Sequence, residues 1–71
     1  MPFDVENVFT YHAPKGDQPE RYIRIRELAR ELAREYEQDC PESREKSLAF
    51  THLQASVMFA NASIAINESK L

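Results

Sequence analysis

Between Ser47 and Asn67 the chain runs for 21 residues without an Asp, Glu, Lys or Arg, although charged residues make up 30% of the whole. The stretch is not uniformly apolar, because Ser47, Thr51, His52, Gln54, Ser56, Asn61, Ser63 and Asn67 are spread through it. At about 100° per residue it reads as a helix with two apolar stripes. Phe50, Leu53, Val57, Ala60 and Ile64 fall on one side; Leu48, Ala55, Phe59, Ala62 and Ile66 fall on nearly the opposite side. A helix without a charged face must be covered on most sides, and one short partner helix covers only one of them. The small residues Ala55, Ala60, Ala62, Ser63 and Ala65 would let neighbouring helices approach closely.

An earlier segment carries the partner. Tyr22, Ile25, Ala29, Leu32 and Tyr36 are spaced 3, 4, 3, 4, a single helical stripe. Asp17 with Glu20 three residues on suggests a capping box, and Pro19 is tolerated in the first turn. Pro41 disfavours helical geometry at Cys40 and ends this helix. The second helix is expected to open at Pro41-Glu42-Ser43, capped by Asp39 or Cys40. The short linker makes the two antiparallel. Ahead of them, Pro14, Gly16 and Pro19 punctuate an arm or short helix followed by a loop. The expected fold is all-α: arm and loop over 1–16, helix one over 17–39 and helix two over 41–68. This single hairpin domain, 1–71, is expected to assemble into a homo-oligomeric helical bundle. A symmetric bundle centred on helix two and a dimeric four-helix bundle both satisfy the two-stripe pattern.

Composition sharpens this picture. A chain of 71 residues allows one domain and buries a small fraction of its surface. With a single cysteine, Cys40, no internal disulfide forms, and no Cys/His spacing suits zinc. Oligomerisation is left as the source of stability. A lone thiol fits a reducing compartment. The net charge of -3 argues against bulk attraction to DNA or RNA polymers. The acidic start, Met1 to Glu6, lacks the basic-then-apolar order of a signal peptide. The uncharged run is long enough for a bilayer, but its polar residues are too many and too evenly spread for a span.

Candidate chemistry lies at both ends of the hairpin. In the loop Phe9 to Gly16, Tyr11 offers a flat face for a base, and His12 and Lys15 could meet phosphate. The alternative is that Phe9 and Tyr11 staple the arm to the hairpin. Arg21, Arg24, Arg26, Arg30 and Arg34 lie on helix one, the last three on one stripe, and with Glu20, Glu27, Glu31 and Glu35 as partners most of them read as a solvated, ion-paired face. Arg26, within two turns of the loop side of helix one, is the best candidate among them for binding. Ser43, Arg44, Lys46 and Ser47 open helix two, where free amides and cations suit an anion, and Thr51 and His52 follow one turn on. Capping and surface charge explain the same opening, and His52 reads more readily as a satisfied core residue than as a ligand. No nucleophile–base pair, metal cluster or phosphate-binding loop stands out, so no catalytic residue, metal or cofactor is expected.

Several segments together closely resemble a known family. They are Phe9-Thr10-Tyr11-His12-Ala13-Pro14-Lys15, Gln18 to Tyr22 with Ile25-Arg26, Cys40-Pro41-Glu42-Ser43-Arg44-Glu45-Lys46-Ser47-Leu48-Ala49, Thr51-His52-Leu53, Val57-Met58, Ala60-Asn61-Ala62 and Asn67-Glu68. The family is that of the small phage proteins that defeat CBASS, the cyclic-oligonucleotide antiphage signalling system, by sequestering its messengers. Their hairpin is shared with the sponges that defeat Thoeris defence. The resemblance covers about residues 8 to 68.

It implies a homohexamer in the cytoplasm of an infected bacterium. It also implies up to two kinds of pocket in that hexamer, one for cyclic dinucleotides such as cGAMP and one for cyclic trinucleotides, and no cleavage of either. By position, Tyr11 would stack on a base and Arg26 would reach a phosphate. The opening of helix two and the chain's end would line a second, trinucleotide pocket. The resemblance departs at Ile66, where many relatives would carry a basic residue, and the departure falls on the trinucleotide pocket. The competing readings are a protein-binding hairpin without a small ligand and a phosphodiesterase using Tyr11 or His12.

Overall fold

The computed structural model describes residues 3–68. Met1 and Pro2, part of the expected arm, and residues 69–71 lie outside them. Within them are three helices: α1 (Val5–Val8), α2 (Gln18–Asp39) and α3 (Arg44–Asn67). The long pair forms an antiparallel hairpin, and the arm adds one short turn of helix at its open end. The chain is elongated, 46 × 27 × 17 Å.

The turn between α2 and α3 differs from expectation. Cys40 is extended (φ -103°, ψ 128°), as Pro41 requires, and its N–H closes α2 on the Tyr36 carbonyl. Helix α3 then waits until Arg44. The cap is Ser43, extended at φ -170° and ψ 166°, whose Oγ accepts from the Lys46 N–H at 3.1 Å. Pro41 is therefore a turn residue and not the first helical position. Asp39 cannot cap α3 because it still belongs to α2. Lys46 fastens the turn, its Nζ donating to the Glu37 carbonyl at 3.3 Å and to Glu42 Oε1 at 2.7 Å. The Glu37 carbonyl is one of the last of α2, which no later helical amide reaches, and it stands at the negative end of that helix.

The other end also departs from its expected cap. Asp17 precedes α2 but makes no side-chain cap bond, because its carboxylate accepts from Arg21 Nε at 3.2 Å instead. Gln18 ties the loop down, its N–H donating to the Lys15 carbonyl at 3.0 Å and its Oε1 accepting from the Lys15 N–H at 3.1 Å. Gly16 lies within this turn at φ +59°, a conformation that L-residues other than glycine rarely adopt.

The first stripe of α3 packs as expected. Phe50, Leu53, Val57, Ala60 and Ile64 are all half-buried, and the Phe50 ring meets Tyr36 edge-on, centroids 5.8 Å apart. On α2 the half-buried apolar positions are Tyr22, Ile25, Ala29, Ala33 and Tyr36, with Leu32 left 43% exposed. Leu32 and Ala33 lie about equally far, roughly 50°, on opposite sides of the centre of Tyr22, Ile25, Ala29 and Tyr36, and α3 covers the Ala33 side. On the second stripe of α3, Phe59 is 75% exposed and Leu48 is exposed, while Ala55, Ala62 and Ile66 are half-buried. The arm reaches this stripe near its end, where Asn7 Nδ2 donates to the Ile66 carbonyl at 2.9 Å.

Among the described residues no apolar side chain is fully buried. The one buried residue is polar Gln18, 4% exposed. Two helices side by side cannot enclose a core, since each shields only the face turned toward the other.

Candidate ligand-binding surfaces

Polar contacts order the loop before α2 and leave its aromatic rings outside. Asp4 caps α1, accepting from the Asn7 N–H at 3.0 Å, and the Thr10 hydroxyl donates back to the Glu6 carbonyl. His12 Nε2 donates to the Asn7 carbonyl at 2.7 Å, so this nitrogen holds the loop and is not free as a base. Tyr11 is 84% exposed, and Phe9 is also exposed, its nearest ring being Phe3 at 6.2 Å. Neither Phe9 nor Tyr11 staples the arm to its own hairpin. Tyr11 presents a ring to solvent on a backbone held from both sides.

Beside this loop, α2 and α3 are clasped by charge. Glu68 accepts from both terminal nitrogens of Arg21, one of them at 2.8 Å, and from Gln18 Nε2 at 3.1 Å. The bond from Arg21, then that from Gln18, holds the Glu68 carboxyl down at about 2. The same bond, with Asp17 nearby, raises Arg21 above the ordinary arginine range. Sequence reasoning did not single out this cluster, because its members are 47 and 50 residues apart.

Arg26 stands between two open grooves along the hairpin. One is lined by Arg26, Ala29, Arg30 and Ala33 of α2 and by Phe50, Leu53, Gln54, Val57 and Met58 of α3. The other, toward the loop end, is lined by Tyr22 and Arg26 with Asn61, Ala62 and Ala65. Asn61 Oδ1 is buried there without a hydrogen-bond partner among the described residues. In the sequence Asn61 stood out as a polar residue within the uncharged run and as part of the Ala60-Asn61-Ala62 segment of the resemblance. Arg30 lies 3.8 Å from Glu27, so the expected ion pairing holds for that pair.

The remaining candidates sit at the opposite end. Arg44 is exposed, 4.0 Å from Glu45. The Lys46 side chain is 10% exposed and engaged by Glu42 and Glu37, which makes it part of the turn and not an open phosphate donor. Ser47 is exposed, and its carbonyl accepts from the Thr51 hydroxyl at 3.1 Å. His52, read as a core residue, is exposed.

Helix α2 spans 22 residues, about 33 Å. Tyr11, His12 and Lys15 thus lie at one end of the hairpin, Arg26 lies nearer that end, and Arg44, Lys46, Ser47 and Thr51 lie at the other. One chain does not bring the eight together.

Among the described residues no group of His, Cys, Asp or Glu could hold a metal ion, and no helix is long and apolar enough to cross a membrane. Cys40 is half-buried and free.

Two antiparallel helices, a charge clasp at the open end and apolar faces turned outward define an all-helical hairpin domain. The family model of the Acb2/Tad1 hairpin domain matches residues 1–65, and the chain belongs to that family. Members are anti-CBASS and anti-Thoeris sponges, known for sponge-like binding of signalling molecules, and the domain is not a known enzyme family. Comparison with curated proteins and with solved structures returned no match.

Proposed function

We propose that this protein binds cyclic dinucleotide second messengers of the cGAMP kind and withholds them from CBASS effectors, without cleaving them. Membership of the sponge family carries the reading, and the exposed Tyr11 ring on an ordered loop supports it. Tyr11 stacks on a base, Arg26 reaches a phosphate from the ridge between the grooves, and His12 and Lys15 shape the loop edge of the site. One chain offers a stacking ring and a cation but no enclosure. The site is therefore completed by a second subunit, in a homo-oligomer that we take to be a hexamer centred on α3. The exposed Phe59 and Leu48 give that assembly its apolar contact.

A trinucleotide pocket is the finer part of the proposal. It would use Arg44, Ser47 and Thr51 at the opening of α3, together with the chain's end in another subunit. Lys46 contributes there by holding the turn. Ile66 brings no positive charge to this pocket. The protein acts in the cytoplasm of a phage-infected bacterium.

The test is ligand recovery. The protein is incubated with a cyclic dinucleotide, separated from free ligand and denatured by heat, and the released material is analysed. Intact ligand in stoichiometric amount is the expected result, and linear product would identify a phosphodiesterase. The alternative, a protein-binding hairpin with no small ligand, predicts no thermal shift across cyclic di- and trinucleotides.

A further inference from the structure

We propose that Asn7 and Gln18 are positioning residues for the Tyr11 ring, anchoring its loop on the C-terminal end of α3. Their role rests on the sponge reading, in which Tyr11 stacks on a base. The ring is 84% exposed, so packing does little to fix it. Its place is set by the backbone of the loop that joins α1 to α2.

Two ties run from that loop to α3, each through one side-chain amide. Tyr11 is bracketed by Thr10, whose hydroxyl donates to the Glu6 carbonyl, and by His12, whose Nε2 donates to the Asn7 carbonyl at 2.7 Å. Both acceptors belong to α1, and Asn7 fastens α1 to α3 by donating from Nδ2 to the Ile66 carbonyl at 2.9 Å. The Asp4 carboxylate accepts from the Asn7 N–H at 3.0 Å, so the residue that reaches α3 is itself held. At the other end of the loop Gln18 grips Lys15 twice, with its N–H on the carbonyl and its Oε1 on the N–H. Gln18 Nε2 then donates to Glu68 Oε1 at 3.1 Å. The anchors Ile66 and Glu68 are two residues apart, so both ties end in one place.

The hairpin does not need these two bonds to close. Both terminal nitrogens of Arg21 join α2 to Glu68 without them, and the Phe50 stripe packs further along. Yet Gln18 is the one buried residue among those described, 4% exposed. An apolar side chain would fill the same space and drop the hold on Lys15 and Glu68. A buried amide bonded at both its oxygen and its nitrogen fixes the orientation of what it touches. The Ile66 tie uses the carbonyl, so it does not depend on which side chain stands there. A loop ordered in advance spares the ligand the cost of ordering it. Fixing the backbone of one residue corresponds to roughly tenfold in affinity.

The test compares the parent with Gln18→Leu and Asn7→Ala, with helicity followed by circular dichroism. In the ligand-free protein, NMR relaxation reads the order parameter of the Tyr11 amide. It should be about 0.85 in the parent and below about 0.6 in each variant. In calorimetry each variant should bind cGAMP roughly tenfold more weakly. In a Tyr11→Ala background the same substitutions should cost much less, because they act through the ring. Equal losses in both backgrounds mark general damage to the fold and overturn the proposal. Gln18→Glu alone sets a second carboxylate where the amide now stands 3.1 Å from Glu68, and it should also bind weakly. Combined with Glu68→Gln, which exchanges amide and carboxylate across that contact, it should regain most of the parental affinity. A double variant no better than Gln18→Glu, or a Tyr11 amide equally ordered in parent and variants, overturns the proposal. A parent that binds no cGAMP sinks the sponge reading itself, whereas a binding parent with unaffected variants overturns the positioning role alone.

Discussion

Replacing Ser43 by alanine isolates what starts α3. The Ser43 hydroxyl accepts from the Lys46 N–H at 3.1 Å and donates to the Pro41 carbonyl at 3.0 Å. Alanine removes both, and the first-turn amide of α3 then has only water as a partner. Loss of a serine cap costs about 1 kcal/mol, within a range of roughly 0.5–2. For a domain of this size about 1 kcal/mol corresponds to roughly 4–8 °C in Tm. Because the proposed assembly would make Tm depend on concentration, parent and variant are compared at one protomer concentration. Thermal unfolding followed by circular dichroism at 222 nm reads the shift. Ser43→Asp should hold Tm near the parental value, since a carboxylate also accepts the amide proton and suits the positive end of the helix. Asp39→Ala is the control, because Asp39 belongs to α2 and caps nothing in α3. A Ser43→Ala shift below about 1 °C, or an Asp39→Ala shift as large as that of Ser43→Ala, would refute the reasoning from capping geometry.

Four further outcomes are expected. Gly16→Ala meets no atom within 4 Å, so its cost is the left-handed backbone alone, about 1–2 kcal/mol, read as a lower midpoint in urea. Glu68→Gln removes a group whose folded pKa is about 2 against an ordinary 4.5. The unfolded chain takes up that proton first as pH falls, so Glu68 stabilises the fold fully above pH 4.5 and progressively less toward pH 2. Parent and variant should accordingly differ in stability at neutral pH and converge near pH 2, and a constant difference across that window would contradict the clasp. Tyr11→Ala should weaken cyclic dinucleotide binding roughly 5- to 150-fold, the worth of one base stack, with the assembled mass unchanged; calorimetry and light scattering measure the two. Arg26→Ala should weaken the same binding and flatten its dependence on salt, whereas an unchanged salt slope would remove Arg26 from phosphate contact.

Periodicity made the hairpin legible. The helical stripe of Phe50, Leu53, Val57, Ala60 and Ile64 could be read because every member faces the one neighbour that the chain itself supplies. The stripe on α2 was readable except at Leu32, whose place depends on how far a single neighbouring helix wraps, and spacing does not specify that. The caps were harder. Asp17 and Ser43 are both good capping types, and the outcome turned on competition: Arg21 claimed Asp17, and the Pro41 turn delayed α3 until Ser43 came into place. In the loop the sequence marked Tyr11 as a flat face for a base, and the fold leaves that ring exposed. At the far end the basic residues looked alike in sequence. Only the fold shows Lys46 tied to the Glu37 carbonyl and the Glu42 carboxylate of the turn while Arg44 stands outside it. The Gln18–Arg21–Glu68 clasp had no local signature, since its parts meet only once the hairpin has closed.

A chain whose one buried residue, among those described, is a glutamine has little interior of its own to defend it against heat or proteases. If copies cover one another's apolar surface, as proposed, abundance decides how long each survives. For a protein proposed to work by stoichiometric capture, the copy number that sets capturing capacity is also the copy number that protects the captor. Below some threshold of expression both fail together, and a graded dose of protein would produce a steep, almost switch-like, onset of protection.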